Sequence, residues 1–367
     1  MKKSFEEIFE DKTKCGTKIK TERYKKCGVH PIIDQGQELV AGYTDCEEGL
    51  FEDVPVIIFG DHTRIIKYVD KPFFLGADGV KVLRSKYKHA NYRYLYYALK
   101  NAKIPDTGYN RHFKWLKNVE IKYLDAEKQS EIVEILDKVS SIINRKRQEV
   151  NLLDNLIKSR FIELFGSLND NEKGLDILPI EELCTLIKDG THQTPVYTDD
   201  QQNGFKFLSS KDVMTQKICW DEIKYIPAEL HEKLYATIQP IRNDILMSKN
   251  GVNYGVAAVN DTDEIFDIYV SLALLRPKTD KVNPVYLRCA INNLDTKRQF
   301  DSSIKGIGVP NLHLGEIKKT KILVPSMDKQ NAFVAFVEQT DKSKLLVQKS
   351  LEETQQLFDA LMQKYFS

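Results

Sequence analysis

The chain has 367 residues, enough for two or three domains, and its 42% hydrophobic residues can build real cores. Its formal net charge of +1 does not announce a nucleic-acid partner. The charge is uneven, however: residues 1–125 hold 23 Lys and Arg against 18 Asp and Glu (net +5), and residues 168–325 hold 19 against 22 (net −3). DNA contact in the second region would have to use local basic clusters on an acidic surface. No apolar run approaches bilayer-spanning length, and Met1-Lys2-Lys3-Ser4-Phe5-Glu6-Glu7 turns acidic where a signal peptide would turn apolar. A cytoplasmic protein with no membrane partner is expected. The six cysteines form no C-x-x-C pair and are scattered, so reduced structural thiols are expected in place of a zinc cage or a disulfide framework.

In chain order, Ser4-Phe5-Glu6-Glu7-Ile8 opens a first half of short β-like runs and glycine turns, of which Val54-Pro55-Val56-Ile57-Ile58-Phe59-Gly60 is the clearest strand. Asn91-Tyr92-Arg93-Tyr94-Leu95-Tyr96-Tyr97-Ala98-Leu99 reads as the start of a packing helix. From about Ala126 to Phe165, apolar residues fall three and four apart (Ile132, Ile135, Leu136, Val139, Ile142, Ile143, Val150, Leu153, Leu156, Ile157, Leu164), which predicts one long amphipathic helix. Asn169-Asp170-Asn171-Glu172-Lys173-Gly174 is the best linker candidate. The pattern then repeats. Pro179-Ile180-Glu181-Glu182-Leu183 echoes residues 4–8, Ile268-Tyr269-Val270-Ser271-Leu272-Ala273-Leu274-Leu275 is a strand, and Asn283-Pro284-Val285-Tyr286-Leu287-Arg288-Cys289-Ala290-Ile291 echoes residues 91–99. A second long helix is predicted from about Asp328, through Phe333, Phe336, Val337, Val347, Leu351, Leu357, Phe358, Leu361 and Tyr365. The two helices match in register: Lys128-Gln129 aligns with Lys329-Gln330, and Ile132, Leu156 and Phe165 align with Phe333, Leu357 and Phe366, an offset of 201 residues (333 − 132). A repeat of that length is a duplicated domain rather than a solenoid.

Several runs then carry a family resemblance over essentially the whole chain. In the first half these are Pro31-Ile32-Ile33-Asp34-Gln35-Gly36, Ala41-Gly42-Tyr43, Ile57-Ile58-Phe59-Gly60-Asp61-His62-Thr63-Arg64 and Gly76-Ala77-Asp78-Gly79. In the second they are Asp189-Gly190-Thr191-His192-Gln193-Thr194-Pro195, Phe207-Leu208-Ser209, Asp244-Ile245-Leu246-Met247-Ser248 and Gly308-Val309-Pro310-Asn311-Leu312. Their order, occurring twice before paired helices, resembles the specificity subunits of Type I restriction–modification systems. The resemblance implies a mixed α/β (α+β) fold with pseudo-two-fold duplication: a target-recognition domain at 1–125, a spacer helix at 126–167, a second recognition domain at 168–325 and a second spacer helix at 326–367. The two helices would pair antiparallel as a coiled-coil ruler, since a lone amphipathic helix cannot bury its stripe. Ile132, Val139, Leu153 and Leu156 are expected to meet Phe333, Phe336, Val347 and Leu357.

The family's role implies a non-catalytic subunit that reads a bipartite double-stranded DNA target. It would position two copies of a modification methyltransferase for adenine methylation, with restriction–translocation subunits as further partners. S-adenosylmethionine, and ATP with Mg²⁺, are expected on those partners, and no cofactor on this chain. Base edges and phosphates are read by Arg, Lys, Asn, Gln, Ser and Thr on exposed loops. The candidates are Gln35, Gln37, His62, Thr63 and Arg64 in the first half. In the second they are Thr191, His192, Gln193, Thr194, Ser209, Ser210, Lys211, Asn250, Asn253, Ser303 and Lys305. For any one loop, a solvated turn is about as good a reading. A related Type II bipartite-site system fits the same motifs.

Enzyme alternatives rest on thinner patterns. Asn283-Pro284-Val285-Tyr286 resembles a methyltransferase N-P-P-Y motif but lacks the second proline and a Gly-rich cofactor turn. Pro105-Asp106 with Glu120-Ile121-Lys122 fits the loose pattern of metal-dependent nucleases, yet Pro105-Asp106-Thr107-Gly108 is a natural turn. The histidines show no close metal-binding pair, and no phosphate loop is present. A coiled-coil scaffold without a DNA role would leave two matching globular units without a purpose.

Overall fold

Apolar runs bounded by glycine turns form the strands, and the two long periodic stretches form helices. The computed structural model describes residues 1–76, 78–304 and 310–367. The chain divides into two compact units, one of residues 1–148 with 348–367 and the other of residues 149–347.

In the first unit the strands are β1 (Lys2–Ser4), β2 (Phe9–Asp11), β3 (His30–Ile33), β4 (Gly42–Thr44), β5 (Val56–Gly60), β6 (Ile66–Val69), β7 (Phe74–Leu75), β8 (Val80–Ser85) and β9 (Glu120–Lys122). They make an antiparallel sheet ordered β2-β8-β5-β6, a smaller sheet ordered β4-β3-β7 and the pair β1-β9. Strand β3 runs parallel to β7. Because side chains alternate across a strand, β5 serves two cores. Ile57 and Phe59 pack with the helices, while Val56 and Ile58 pack toward the smaller sheet against Phe73 and Leu75.

The second unit holds β10 (Asp176–Pro179), β11 (Cys184–Asp189), β12 (Phe205–Leu208), β13 (Lys224–Ile226), β14 (Ile245–Ser248), β15 (Ala257–Val259), β16 (Phe266–Ile268), β17 (Leu272–Pro277) and β18 (Lys321–Val324). Among the described residues they repeat the first unit pairing for pairing: β11-β17-β14-β15, β13-β12-β16 and β10-β18, with β12 parallel to β16. Ile245 and Met247 face the helical core and Leu246 faces the smaller sheet, as in β5. The duplication expected from the sequence is therefore present strand for strand.

Buried polar groups repeat too, which explains the residues that match in the sequence. Asn91 and Asn283 each cap the helix that follows, accepting from the backbone N–H of Tyr94 (3.0 Å) and of Val285 (2.9 Å). One turn on, the Tyr94 and Tyr286 hydroxyls donate to the carbonyls of Lys122 (2.5 Å) and Leu323 (2.7 Å), in the strand before each long helix. Burial pushes the Tyr94 phenol up to about 12, so it remains a donor. The buried Gln129 donates to Leu124 O at 2.8 Å, and the buried Gln330 to Pro325 O at 2.9 Å, each closing the turn from strand to helix. The Asn283-Pro284-Val285-Tyr286 run is thus a cap with a buried anchor. The residues of the nuclease-like pattern have structural partners: Asp106 bonds Arg64, and Glu120 to Lys122 form β9 beside β1.

The long helices span Ala126–Phe165 and Met327–Phe366. In the first unit Ile132, Leu136, Val139 and Ile143 share a core with Phe358 and Met362. In the second, Phe161 and Phe165 pack on Phe333 with ring centroids 5.5 Å apart, and Lys344 bonds Asp154 at 2.5 Å. The start of each helix therefore meets the end of the other, an antiparallel pairing. Several of the expected positions have other partners or none at the seam, however. Ile132 and Val139 meet the C-terminal end of the second helix, whereas Phe333 meets the C-terminal end of the first. Leu156 and Leu357 remain 47% and 52% exposed. Equivalent positions in an antiparallel duplicate lie at opposite ends, so matching numbers do not touch. Among the described residues, no helix is long and apolar enough to cross a membrane.

Candidate nucleic-acid interface

The identical strand order brings corresponding loops to the same end of each unit. In the first unit these follow β3 (34–41), join β5 to β6 (61–65) and lie between β7 and β8 (76 and 78–79). Their counterparts follow β12 (209–213), join β14 to β15 (249–256) and join β16 to β17 (269–271), with the loop after β11 (190–195) at the same edge. The candidates at 35–37 and 62–64 thus fall on loops equivalent to those that hold 209–211 and 250–253.

In the first unit Gln35 ties three loops together. Its side-chain oxygen accepts from His62 N (3.2 Å), its amide donates to Asp78 O (3.0 Å), and its carbonyl accepts from Thr63 Oγ1 (2.7 Å). Gly79, at φ +91°, sits so close that an added Cβ would lie 2.8 Å from both Gln35 Oε1 and His62 Cδ2. Gln35 is therefore committed inside the loop cluster, while Gln37 and Thr63 are exposed. His62 stacks on the 88% exposed Tyr109, centroids 4.8 Å apart, with its buried Nδ1 unpartnered. Arg64, at φ +60°, pairs with Asp106 at 2.6 Å. Gln37, Thr63 and Arg64 also line a concave surface of about 790 Å³ together with Lys100 and Arg147. Under it lies Lys67, whose buried ammonium donates to the carbonyls of Asp34 and Glu38 and so pins the loop after β3. Burial draws the Lys67 ammonium below its ordinary value, and Asp34 opposes the shift.

In the second unit the organising pair is Lys249 and Asp189, 2.7 Å apart, with His192 Nε2 3.2 Å from the same carboxylate oxygen. Burial would raise the Asp189 carboxyl, but Lys249 and His192 hold it below its ordinary value. Only glycine fits at 190, where a Cβ would lie 2.1 Å from Ile268 O. Thr191 bridges to Tyr269, leaving His192, Gln193 and Thr194 exposed. Ser209 closes a capping box with Asp212, Ser210 N donates to Ser271 Oγ (3.0 Å), and Lys211 is exposed. Lys249 N in turn donates to Ser271 O at 3.0 Å, which draws the loops after β12, β14 and β16 into one cluster. Asn250 bridges to Asn311 with its buried Oδ1 unpartnered, and Asn253 is exposed beside it. Ser303 instead ends a helix, bonded to Phe300 O, and Lys305 lies outside the described residues.

A further correspondence was not visible in the sequence. The loop after the short helices returns to the β5–β6 turn through His112 N to Asp61 O (2.8 Å), and to the β14–β15 turn through Leu312 N to Lys249 O (2.7 Å). Asp61 and Lys249 directly follow the equivalent strands β5 and β14, so His62 and Asn250 are counterparts. Each carries an unpartnered buried polar atom at the loop cluster. Of the second-half run at 302–306, Ser302 and Ser303 lie in a helix, and Lys305 and Gly306 lie outside the described residues. The sequence reading missed Tyr109 in the first half, although Thr107-Gly108-Tyr109-Asn110-Arg111 is a polar glycine turn. It also missed Lys67 and Lys249, because an isolated lysine beside a strand reads as solvated.

The two loop clusters offer amides, hydroxyls, imidazoles and ammonium groups beside tight glycine turns, the chemistry that contacts phosphates and base edges. The family model described as the Type I restriction modification DNA specificity domain matches residues 1–152 and 172–356. The chain is 20% identical over 317 residues to the Type I restriction enzyme MjaVIII specificity subunit of Methanocaldococcus jannaschii, covering 79% of this chain and 74% of that one. It is 28% identical over 147 residues to the EcoR124I/EcoR124II specificity subunit of Escherichia coli, spanning 36% of each. The S subunit structure from M. genitalium superposes with a TM-score of 0.58 at 16% identity, covering 100% of this chain and 96% of that one, a likeness of fold. With two matches of the same domain model over two units of the same strand order, the chain belongs to the Type I restriction–modification DNA specificity family.

Proposed function

We propose that each unit reads one half of a bipartite double-stranded DNA target and that the chain is a non-catalytic specificity subunit. The observation that carries this is the convergence of polar side chains from unlike motifs onto equivalent loops of a duplicated scaffold. Thr63 and Gln37 are exposed in one unit, beside the half-buried His62; His192, Gln193, Thr194, Lys211 and Asn253 are exposed in the other. The helix surfaces left outside the cores would dock two copies of a modification methyltransferase, as the pseudo-two-fold repeat suits. Restriction–translocation subunits would join them, in the cytosol. S-adenosylmethionine, and ATP with Mg²⁺, belong on those partners in this reading, and this chain binds none of them.

The test combines the purified chain with its modification subunit and measures binding to specific and scrambled duplexes, then adenine methylation. Selective binding is expected from the assembled complex, with neither methylation nor cleavage by the chain alone. Robust methylation or Mg²⁺-dependent cutting by the isolated chain would overturn the reading.

A further inference from the structure

Among the described residues, the second unit contains a buried guanidinium that no carboxylate contacts directly, although Asp341 and Asp154 lie near enough to favour its charge. Arg288 is only 7% exposed, on the helix Pro284–Ile291. Its hydrogen bonds are long: Nη1 lies 3.4 Å from Gln216 O, and Nη2 lies 3.3 Å from the sulfur of adjoining Cys289. Its Nε has no hydrogen-bond partner among the described residues. A guanidinium stays ionised at any ordinary pH, and a buried ion without a counter-charge is costly enough that proteins pair or ligate it. The half-buried arginines elsewhere follow that rule. Arg84 meets Asp53, Arg93 meets Asp137 and Arg276 meets Asp244.

Arg288 lines a cavity of about 80 Å³ between the two long helices and the loop at 215–217, all within the second unit. Two carboxylates also line it, but each already faces a lysine: Asp154 lies 2.5 Å from Lys344, and Asp341 lies 3.4 Å from Lys217. With those charges matched, Arg288 and the exposed Lys158 leave the walls with an excess of two positive charges. Thr215, Gln216 and Asn293 add polar groups. Gln216 adopts φ +62°, a left-handed conformation rare for a residue with a side chain, and its carbonyl is the one that faces the guanidinium. The space is sufficient for one small tetrahedral ion.

We infer that this cavity is a binding site for a small tetrahedral oxyanion of the phosphate or sulfate class, with Arg288 as its principal ligand and Lys158 at its mouth. The inference is independent of how the loop clusters read DNA. The same chemistry could arrive as free phosphate or as a phosphate of the nucleic-acid backbone, and the test separates the two.

Isothermal titration of the full-length chain with inorganic phosphate, at constant ionic strength and without DNA, should show one saturable site, and the melting temperature should rise with phosphate concentration. Arg288→Gln removes a charge-assisted donor pair and should weaken binding at least about tenfold. Because that variant alters a buried group, Lys158→Glu on the exposed rim is the companion. It should weaken phosphate binding with circular dichroism and phosphate-free melting unchanged. A short duplex should fail to compete if the ligand is free oxyanion, whereas competition would assign the site to a backbone phosphate and overturn the free-ion assignment. Absence of saturable binding by wild type, or equal binding by wild type and Lys158→Glu, would overturn the site itself.

Discussion

The two units answer the same structural problems with the same residues in their cores and with different ones at their loops. Asn91 and Asn283 each cap a helix, Tyr94 and Tyr286 each donate to a strand carbonyl, and Gln129 and Gln330 each close a strand-to-helix turn. Each loop cluster is pinned from beneath by one buried lysine, but by different means. Lys67 rises from β6 to two backbone carbonyls with the Asp34 carboxylate 3.6 Å away, whereas Lys249 follows β14 and meets the Asp189 carboxylate directly at 2.7 Å. A fixed frame with variable loops is what a modular reader requires: the frame holds the geometry while loop chemistry changes the sequence that is read. The arginines beside the long helices also differ, since Arg93 is neutralised by Asp137 and Arg288 has no carboxylate partner.

The largest effects are expected where the helices meet the frame. Phe333 packs edge-on against both Phe161 and Phe165 in the second unit, and Leu136 is fully buried in the first. Phe333→Ala should cost about 3–5 kcal/mol and Leu136→Ala about 2–5 kcal/mol in urea unfolding. Leu156→Ala and Leu357→Ala, on exposed positions, should stay within about 0.5 kcal/mol. Equal losses at all four positions would mean that the helix register differs from the one described.

Next comes the lysine pin of the second unit. Lys249→Met leaves Asp189 charged and partly buried without its ammonium, a loss of about 3–5 kcal/mol for a pair of this kind. The pH dependence has a definite sign. Asp189 titrates below its ordinary value in the folded chain, so its contribution is present above that ordinary value and disappears as the pH falls through the lowered one. Lys249→Met should therefore flatten the acid limb of the stability curve, and an unchanged limb would remove Lys249 from the account.

A smaller effect sharpens the comparison between the turns. Gln330 accepts from Asn283 N (2.8 Å) and donates to both Pro325 O and Lys281 O, whereas Gln129 has a bond to Leu124 O. Gln330→Leu should cost about 1–3 kcal/mol and Gln129→Leu about 1 kcal/mol. Thermal unfolding of the two variants checks the order, and a larger loss for Gln129→Leu would reverse the assignment.

Much of this frame was legible in the sequence, because duplicated polar anchors leave duplicated letters. The 201-residue offset between Gln129 and Gln330 and the repeated Asn and Tyr before them mark the two units. The helix partners were not legible, since an apolar stripe says which face is buried but not what covers it. Ile132 shares its core with Phe358 and Met362, residues that the repeat offset does not connect to it. At the loops, residue type suggested the right segments without distinguishing side chains that face outward from those that tie the loops together. Gln35 is such a tie, while Gln37 two residues on is exposed.

The central claim is that the two units read DNA independently from a common frame. Residues 1–125 can be exchanged for the matching domain of another family member, and the methylated sites then mapped across a genome carrying the exchanged subunit and its modification partner. The account predicts a target in which one half-sequence changes and the other stays as it was. A target with both halves altered together would contradict it.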